Sequence, residues 1–390
     1  MRFPEFTDEW KESVLSDFVE RVKRKNKNNL CKLPLTISAQ YGLVDQISFF
    51  NKVIASENMS NYYLLHKGDF AYNKSYSSEY PWGAIKRLDC YEQGTLSSLY
   101  ICFKPYSHVS SDFLTHYFET SKWHQGISEI AVEGARNHGL LNVGIQDFFE
   151  TRHCLPQSLL EQEKIAKFLN LIEERIATQN KIIEKLQSLI KGLIDDIITL
   201  KCGQLVAFET LYSKAGEGGT PTTSNTEFYD NGSIPFIKID DLSNKYLSAN
   251  KDYITELGLK KSSAWLIPTH SIIYSNGATI GAISINKYPV CTKQGILGIV
   301  PNTNIDVEFL YYFMQSSYFQ KEVERVVTEG TMKTAYLKDI NHIKCPIPDL
   351  DRQKEISHLL SVLSLKEDVE GQLLQKYQIQ KQYLLRKMFI

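Results

Sequence analysis

Apolar residues recur at seven-residue intervals along two long segments of this 390-residue chain. In the first segment, Leu169 and Ile172 each begin a series of seven-residue steps with one polar member, Gln179. Five heptads filled in this way are typical of a coiled coil. The second segment, Gln353 to Phe389, has a less regular seam that is interrupted at residues 365–371. The predicted seam residues are Leu169, Ile172, Ile176, Ile183, Leu186, Ile190, Leu193, Ile356, Leu360, Leu363, Leu374, Tyr377 and Leu384.

The chain also repeats itself, with an offset of 191 positions between the two copies. Under this offset Cys154 aligns with Cys345 and Gln162 with Gln353, and a proline-containing turn precedes both helical segments. Further back, VEGARNHGLL (residues 132–141) resembles TEGTMKTAYL (residues 328–337). Internal similarity of this kind indicates duplicated structural units. We therefore interpret the chain as two copies of one plan, each a globular unit followed by a long helix.

The globular segments alternate short apolar runs with Gly, Asn and Pro turns, which predicts more strand than helix. One helix is predicted near Phe309 to Val326, with a counterpart near Asp112 to Trp123. The predicted fold class is α+β, with two similar globular domains separated by two long helices that form an antiparallel coiled coil. The predicted boundaries are 1–155 and 203–347 for the globular domains, and 156–202 and 348–390 for the helices.

Two long helices of one chain with complementary seams pack most simply on each other in antiparallel orientation. Such a pair holds two related surfaces at a set separation. Two DNA half-sites one turn apart are separated by roughly 34 Å, a distance that helices of this length can span. A plain dimerisation coil is the structural alternative for the same pattern.

The bulk composition describes a globular protein without an overall charge bias. Apolar residues make up 43% of the chain and the formal net charge is −1, so global charge does not indicate a nucleic-acid binder. The seven cysteines are scattered, a usage that favours neither a disulfide framework nor a zinc site. Because no apolar run approaches the length of a membrane span, we expect a cytoplasmic protein.

The motifs of common enzymes are missing from the sequence. Neither a G-x-x-x-x-G-K-[ST] phosphate loop nor an H-E-x-x-H or G-x-S-x-G motif occurs. The methyltransferase pairing of a glycine-rich loop with an Asn/Asp-Pro-Pro-aromatic motif is absent as well. The glycines of AGEGGTP (residues 215–221) lack the spacing and the preceding strand of a dinucleotide site. We therefore expect no catalytic residue and no metal site in this chain.

Several segments, in a fixed order, resemble the specificity (S) subunit of type I restriction–modification enzymes. They are RFPEF…EWKESVLSDF at the start, GGTPTT…EFYDNGSIPFIKIDDL at the entry of the second unit, the EGA and EGT segments, and the duplicated LPQSLLEQEKIAKFLNLIEERI and CPIPDLDRQKEISHLLSVL. The resemblance covers essentially the whole chain. It implies two target recognition domains, each reading one half of a split asymmetric DNA sequence, and a helix pair that sets the spacer between the halves.

The resemblance also implies partners and cofactors. The helices would dock two methyltransferase (modification) subunits, with motor–nuclease (restriction) subunits outside them, and the chain itself would be non-catalytic. Double-stranded DNA is the expected ligand, while S-adenosylmethionine, ATP and magnesium are expected on the partner subunits. An alternative of a different class is a coiled-coil adaptor with two peptide-binding ends.

Polar loops between the predicted strands supply the candidate DNA contacts. Bases are read by Arg, Lys, Asn, Gln and aromatic side chains, and phosphates are met by Lys, Arg, hydroxyls and backbone N–H groups. In the first unit the candidates are Lys74, Tyr76, Trp82, Lys86, Arg87, Arg136, Asn137 and His138. In the second unit they are Thr220, Thr222, Thr223, Ser224, Asn225, Lys238, Asn276, Lys287, Lys293, Gln294, Lys333 and Thr334. Trp82 has a core position as its structural alternative, and His138 a satisfied loop position.

The segment GGTPTTSN (residues 218–225) has two interpretations. It is either a tight turn that presents hydroxyls and N–H groups to a DNA phosphate, or a plain strand-entry turn without a ligand. The first unit has no matching segment, and the basic stretch Arg21 to Lys27 is aligned with it, with five basic side chains in seven residues. For that stretch a solvated charged face is the more common explanation.

Overall fold

The computed structural model of the protein describes residues 1–76, 80–131, 141–199, 203–277, 279–328 and 333–389. Contacts divide the chain into two compact units, one formed by residues 1–179 with 373–390 and the other by residues 180–372. Both units share the two long helices, which are α5 (Leu159–Thr199) and α10 (Leu350–Met388).

The first unit begins with strands and short helices that precede α5. Its strands are β1 (Lys11–Val14), β2 (Val19–Arg21), β3 (Leu35–Ser38), β4 (Gly42–Asp45), β5 (Tyr63–His66), β6 (Phe70–Asn73), β7 (Ala84–Arg87), β8 (Gln93–Leu96), β9 (Ile101–Pro105) and β10 (Arg152–Leu155). Its short helices are α1 (Gln46–Phe50), α2 (Ser111–Tyr117), α3 (His124–Ile130) and α4 (Ile145–Phe149).

The second unit has a comparable set of elements between α5 and α10. Its strands are β11 (Gln204–Ala207), β12 (Tyr212–Glu217), β13 (Ile234–Ile237), β14 (Tyr246–Leu247), β15 (Asp252–Ile254), β16 (Ile272–Ser275), β17 (Ile283–Asn286), β18 (Cys291–Thr292), β19 (Ile296–Pro301) and β20 (Lys344–Ile347). Its short helices are α6 (Glu256–Lys260), α7 (Val307–Gln315), α8 (Ser317–Val326) and α9 (Leu337–Ile340).

The central sheets of the two units have the same strand order. In the first unit the order is β2-β9-β6-β7, and in the second it is β12-β19-β16-β17-β14, where β14 is an added parallel edge strand. A second antiparallel ladder, β1 with β10 and β11 with β20, precedes the long helix in each copy. The repeat seen in the sequence is therefore reproduced in the central sheets and in these ladders, and the predicted α+β class is confirmed.

Each central sheet is covered on both faces, which explains why its middle strand reads as a continuous apolar run rather than an alternating one. In the second unit, Ile272 and Tyr274 of β16 face the core formed with α7, α8 and the long helices. The intervening Ile273 faces a smaller core with residues of β13, β14 and β19. In the first unit Phe70 and Ala71 of β6 divide in the same way between two cores. The sheet is thus the rigid middle layer of each unit.

The long helices run antiparallel, as predicted. In the first unit, Leu169 near the start of α5 shares a core with Leu384 near the end of α10. In the second unit, Ile194 near the end of α5 shares a core with Ile356 near the start of α10. Of the predicted seam residues, Leu169, Ile172, Leu186, Ile356, Leu360 and Leu384 are buried and the others are half-buried.

The two predicted short helices are each divided in the structure. The helix expected over 309–326 is broken at Ser316, whose backbone is extended and whose hydroxyl accepts a hydrogen bond from Phe319 N at the start of α8. A serine in this role competes with helix continuation by capping the next helix. Its counterpart ends earlier than expected, at Tyr117, and α3 begins only at His124.

Candidate nucleic-acid interface

In the first unit, three chain connections emerge from one end of the central sheet. The antiparallel register pairs Arg21, the last residue of β2, with Phe103 near the start of β9. It also pairs Asn73, the last residue of β6, with Ala84, the first of β7. The connections at this end are residues 22–34, 74–83 and 97–100. We call this end of each sheet the loop end.

The second unit has the same three connections at its loop end. Glu217, the last residue of β12, pairs with Leu297 in β19, and Ser275, the last residue of β16, pairs with Ile296. The connections are residues 218–233, 276–282 and 293–295. Candidates that are far apart in the sequence, Thr220 to Asn225, Asn276, Lys293 and Gln294, are therefore attached to one end of one sheet.

Backbone hydrogen bonds hold these connections against one another. Gly218 N donates to Ile296 O at 2.9 Å, and Asn276 N donates to Gly295 O at 3.1 Å. Ala335 N donates to Asn276 O at 2.9 Å, which brings the neighbouring candidates Lys333 and Thr334 to the same place. In the first unit, Leu141 N donates to Lys74 O at 2.9 Å, in the equivalent position after β6.

Several second-unit candidates present polar groups to solvent at the loop end. Thr222, Thr223, Ser224, Lys293, Gln294 and Lys333 are exposed. Lys293 N donates to Ile237 O at 3.0 Å, so Lys238 lies beside this turn. The ammonium group of Lys238 is held by Asp252 at 2.8 Å. Asn225 caps a short 3-10 turn through its side chain, which accepts from Glu227 N at 3.1 Å.

The glycines of GGTPTTSN are required by packing. A Cβ on Gly218 would lie 2.1 Å from the carbonyl oxygen of Thr292, and one on Gly219 would lie 2.5 Å from the backbone nitrogen of Ala264. Pro221 is buried, and the buried hydroxyl of Thr220 has no hydrogen-bond partner in the ranges that the structure describes. The first half of the segment is therefore a packed strand entry, and only the hydroxyls from Thr222 onward face solvent.

Asn276 does not present its amide to solvent, and its burial argues against the base contact expected from the sequence. The residue is 1% exposed, and its side-chain nitrogen donates to Ala335 O at 3.1 Å. Its side-chain oxygen is buried without a partner among the described residues. Asn276 thus joins two loop-end connections and positions their backbones.

In the first unit, the connection after β6 contains three candidates in different environments. Tyr76 is 57% exposed. Lys74 is half-buried, and its ammonium group donates to Val143 O at 3.4 Å. Trp82 packs on the first unit's main core, and its carbonyl oxygen accepts from the Tyr72 hydroxyl at 2.8 Å. The core alternative therefore describes the Trp82 ring in this structure.

Three predicted cations lie away from the loop end or are already neutralised. Lys86 forms an ion pair with Glu119, and its side chain is 12% exposed. Arg87, at the opposite end of β7, pairs with Asp89 and Asp112, both at 2.6 Å. Lys287 follows the opposite end of β17 and lies 4.2 Å from the ring centre of Tyr246. These residues were predicted to lie with the loops because the sequence pattern does not show which end of a strand each one occupies.

The candidates Arg136, Asn137 and His138 lie outside the described residues. Two loop-end features of the first unit were not among the DNA contacts predicted from the sequence. One is residues 22–32, which occupy the position of GGTPTTSN. The other is the turn at 97–100, where Leu99 is 72% exposed. For residues 22–32, the alignment of the basic stretch with GGTP was a signal in the sequence. The turn at 97–100 has no distinctive motif.

A buried glutamine fixes each globular part to its long helix in the same way. Gln162 of α5 accepts from Ser110 N at 2.8 Å and donates to Pro156 O at 2.9 Å. Gln353 of α10 accepts from Asp306 N at 2.9 Å and donates to Pro348 O at 2.8 Å. Ser110 and Asp306 are the N-caps of α2 and α7. The aligned glutamines of the repeat thus have one structural role.

A charged cluster adds a second attachment in the second unit. Lys245 donates to Glu308 at 2.9 Å and to Ser361 of α10 at 2.8 Å. Burial opposes the charge of Lys245, but hydrogen bonds to Glu308 and Tyr312 outweigh it and raise the pKa of the ammonium group. Burial likewise opposes ionisation of Glu308, but hydrogen bonds led by Ser361 lower the pKa of its carboxyl group. Both groups are therefore charged at neutral pH.

A family model for the "Type I restriction modification DNA specificity domain" matches residues 212–377. The specificity subunit of the Escherichia coli EcoR124I/EcoR124II type I restriction enzyme is 27% identical over 210 residues, and the alignment covers 52% of each chain. This chain is similar to type I specificity subunits. It spans about half the length of that relative, with 52% covered.

Two solved structures from type I restriction–modification systems have the same fold as this chain. The S subunit from M. genitalium superimposes with a TM-score of 0.55 at 14% identity, covering 100% of this chain and 99% of that one. A chain from a structure of type I restriction–modification complex assembly gives a TM-score of 0.61 at 15% identity, covering 98% and 97%. This chain therefore shares its overall fold with both of these structures.

The long helices of this chain carry exposed apolar residues outside their seam. Leu171 of α5 is 50% exposed and Val362 of α10 is 51% exposed, and the two are equivalent under the repeat offset of 191. Along α5, exposed Leu160, Leu171, Ile182 and Leu189 follow spacings of eleven, eleven and seven, which places them on one helix face. Exposed apolar stripes of this kind mark interaction surfaces.

Within the described ranges, no helix is long and apolar enough to cross a membrane. Over the same residues, no group of three or more His, Cys, Asp or Glu side chains is arranged to hold a metal ion.

Proposed function

We propose that this chain is the DNA sequence-recognition subunit of a type I restriction–modification complex and reads a bipartite, asymmetric target. The observation that carries the proposal is the repeated loop end. The same three connections leave the same end of the same sheet in both units, but their side chains differ. Polar loops on a rigid scaffold suit groove recognition, and diverged loops on two equivalent scaffolds suit two different half-sites.

The proposal assigns the long helices to docking of two methyltransferase subunits. Leu171 and Val362 occupy equivalent positions and are equally exposed, which supports two related docking surfaces on one chain. Motor–nuclease subunits would join outside the methyltransferase subunits. The chain would carry no catalysis of its own, and S-adenosylmethionine, ATP and magnesium would be bound by its partners.

Docking is tested by placing a charge in each apolar stripe. We expect Leu171→Glu and Val362→Glu each to remove one of the two methyltransferase copies, because a carboxylate cannot be buried unpaired in an apolar contact. Asn180→Glu is the matched control, since this exposed residue lies on the other flank of α5. Native mass spectrometry gives the stoichiometry, and a full complement of partners in both variants contradicts the assignment.

The helices are also proposed to set the distance between the half-sites. Inserting four residues after Gln179 of α5 adds about one turn and 6 Å. We expect the spacer between the methylated half-sites to lengthen by one or two base pairs. An unchanged spacer in methylation mapping contradicts this role, provided that the inserted chain still assembles with its partners.

Sequence recognition itself is tested with the reconstituted complex. Its affinity for a duplex carrying the mapped target is compared with its affinity for a random duplex of equal length, in a mobility-shift titration at physiological salt. We expect the target duplex to bind at least about a thousandfold more tightly, as is typical of specific DNA-binding proteins. Equal affinity for both duplexes would favour a protein–protein adaptor instead.

A further inference from the structure

The two units differ strongly in charge over equivalent stretches. Residues 21–104 of the first unit contain twelve Lys and Arg against six Asp and Glu, whereas residues 217–300 of the second contain seven of each. Both stretches begin at the last residue of the equivalent edge strand, β2 or β12. The near-neutral charge of the whole chain therefore hides a basic stretch within the first unit.

Part of this positive charge lies at the loop end of the first unit. Val22 N donates to Cys102 O at 2.9 Å, as Gly218 N does to Ile296 O at 2.9 Å. The basic segment, defined as residues 22–32, therefore begins at the position that GGTPTTSN occupies in the second unit. It carries Lys23, Arg24, Lys25, Lys27 and Lys32, where the second unit carries glycines, a proline and hydroxyls.

The backbone of the basic segment is fixed. Asn26 N donates to Tyr62 O at 3.0 Å, and Leu64 N donates to Arg24 O at 3.0 Å. The side chain of Asn26 holds both backbone groups of Cys31, at 2.8 and 2.9 Å. The backbone that carries the lysines is therefore ordered before any ligand arrives, which lowers the ordering cost of binding.

The charges of the segment are mostly uncompensated. Arg24 is paired with the buried carboxylate of Asp69. Lys25 has neutral partners, the carbonyl of Asn61 at 2.9 Å and the ring of Tyr63, whose centre is 3.7 Å away. Lys23, Lys27 and Lys32 are exposed, and in the part of the chain that the structure describes none of them pairs with a carboxylate. Four ammonium groups therefore remain available to an anionic ligand.

We propose that the basic segment binds backbone phosphates of double-stranded DNA, so that the first unit supplies most of the salt-sensitive binding and the second relies on uncharged contacts. This inference rests on the proposed function and adds to it an electrostatic difference between the half-sites. Phosphate contacts release counterions, so each one contributes about 0.9 to the slope of log affinity against log salt.

The experiment measures that slope for the reconstituted complex between 50 and 200 mM NaCl. Lys23→Gln/Lys27→Gln removes two phosphate contacts, so we expect the slope to fall by about 1.8 on target and random duplexes alike. The affinity lost across this salt range should then be about tenfold smaller than for the wild type. The preference for the target over the random duplex should not change.

Two further variants remove the same formal charge elsewhere. Lys11→Gln/Lys122→Gln replaces exposed lysines outside the basic stretch, and we expect the wild-type slope. Lys238→Gln/Lys293→Gln acts at the loop end of the second unit, where Asp252 already neutralises Lys238. We expect that pair to lower the slope by at most about 1.

The outcomes separate the two proposals. A wild-type complex that binds target and random duplexes equally refutes both the proposed function and this inference. A wild-type complex with target preference, combined with an unchanged slope in Lys23→Gln/Lys27→Gln, overturns the inference alone and identifies the segment as a solvated surface. Equal slope changes from the two loop-end variants would refute the asymmetry between the units.

Discussion

Replacing Gln353 by leucine tests how the globular part of the second unit is attached to its helix. The amide is 1% exposed, and three backbone groups depend on it: Asp306 N at 2.9 Å, Pro348 O at 2.8 Å and Asn304 O at 3.2 Å. Leucine has a similar volume, so little cavity forms, but the three groups lose their partner. Three hydrogen bonds at about 1 kcal/mol each contribute about 3 kcal/mol. Water can reach the freed groups, because Asn304 is exposed and Asp306 and Pro348 are half-buried. We expect a local loss of about 2–4 kcal/mol.

The assay is hydrogen exchange of the α7 amides, because the loss is local and the chain has two units. A loss of that size lowers their protection by about 30- to 1000-fold. Gln378→Leu is the matched control, since Gln378 is exposed on the same helix. Gln162→Leu should produce the equivalent effect on α2. Protection of α7 within about twofold of the wild type in Gln353→Leu would refute the reasoning.

Three other sets of substitutions test separate features. Gly218→Ala should lower the melting temperature through steric overlap costing about 1–3 kcal/mol. Gly371→Ala, with nothing within 4 Å of its Cβ position, should raise stability by about 1 kcal/mol. A Gly218→Ala variant that is more stable than Gly371→Ala would contradict the packing role. Burial lowers the pKa of His153 from 6.5 to about 4, so the unfolded chain binds a proton that the folded chain excludes. Wild-type stability should therefore fall by about 3 kcal/mol as pH drops from 6.5 to 4. The denaturant midpoint should fall less between pH 7.0 and pH 4.5 in His153→Gln than in the wild type. Identical falls in the two proteins would refute this. Lys245→Met should lower the free energy of unfolding in urea by about 1–2 kcal/mol. This is less than for a fully buried pair, because the Glu308 side chain is 30% exposed. Adding Glu308→Gln to Lys245→Met should restore part of that stability, and strictly additive losses would contradict the pairing.

The architecture could be predicted from the sequence because it rests on periodic and repeated signals. Heptad spacing from Leu169 onward predicted α5, and the alignment of Gln162 with Gln353 predicted two copies of one plan. In the structure each glutamine accepts a hydrogen bond from an N-cap N–H and donates one to a proline carbonyl. The break at Ser316 was missed, although a serine followed three residues later by a buried aromatic residue is compatible with a helix start. Periodicity alone does not show that a cap interrupts a helix.

The candidate interface could be predicted only in part, because exposure depends on tertiary contacts. The sequence identified polar residues in loops but not which strand end each loop occupies, so Arg87 was grouped with Lys74. It could not show that Asn276 is buried by its bond to Ala335, which lies 59 positions later in the chain. Nor could it show that Gly218 packs against Thr292, since that approach exists only in the folded sheet.

The most direct test of the account is sequencing of methylated bases in a host that carries this chain with its methyltransferase partners. The account predicts one motif in two different parts, separated by a run of unspecified bases of constant length. Exchanging residues 203–347 for the equivalent domain of a relative should change one part and leave the other intact. A single continuous motif, or a domain exchange that alters both parts, would contradict recognition by two independent units.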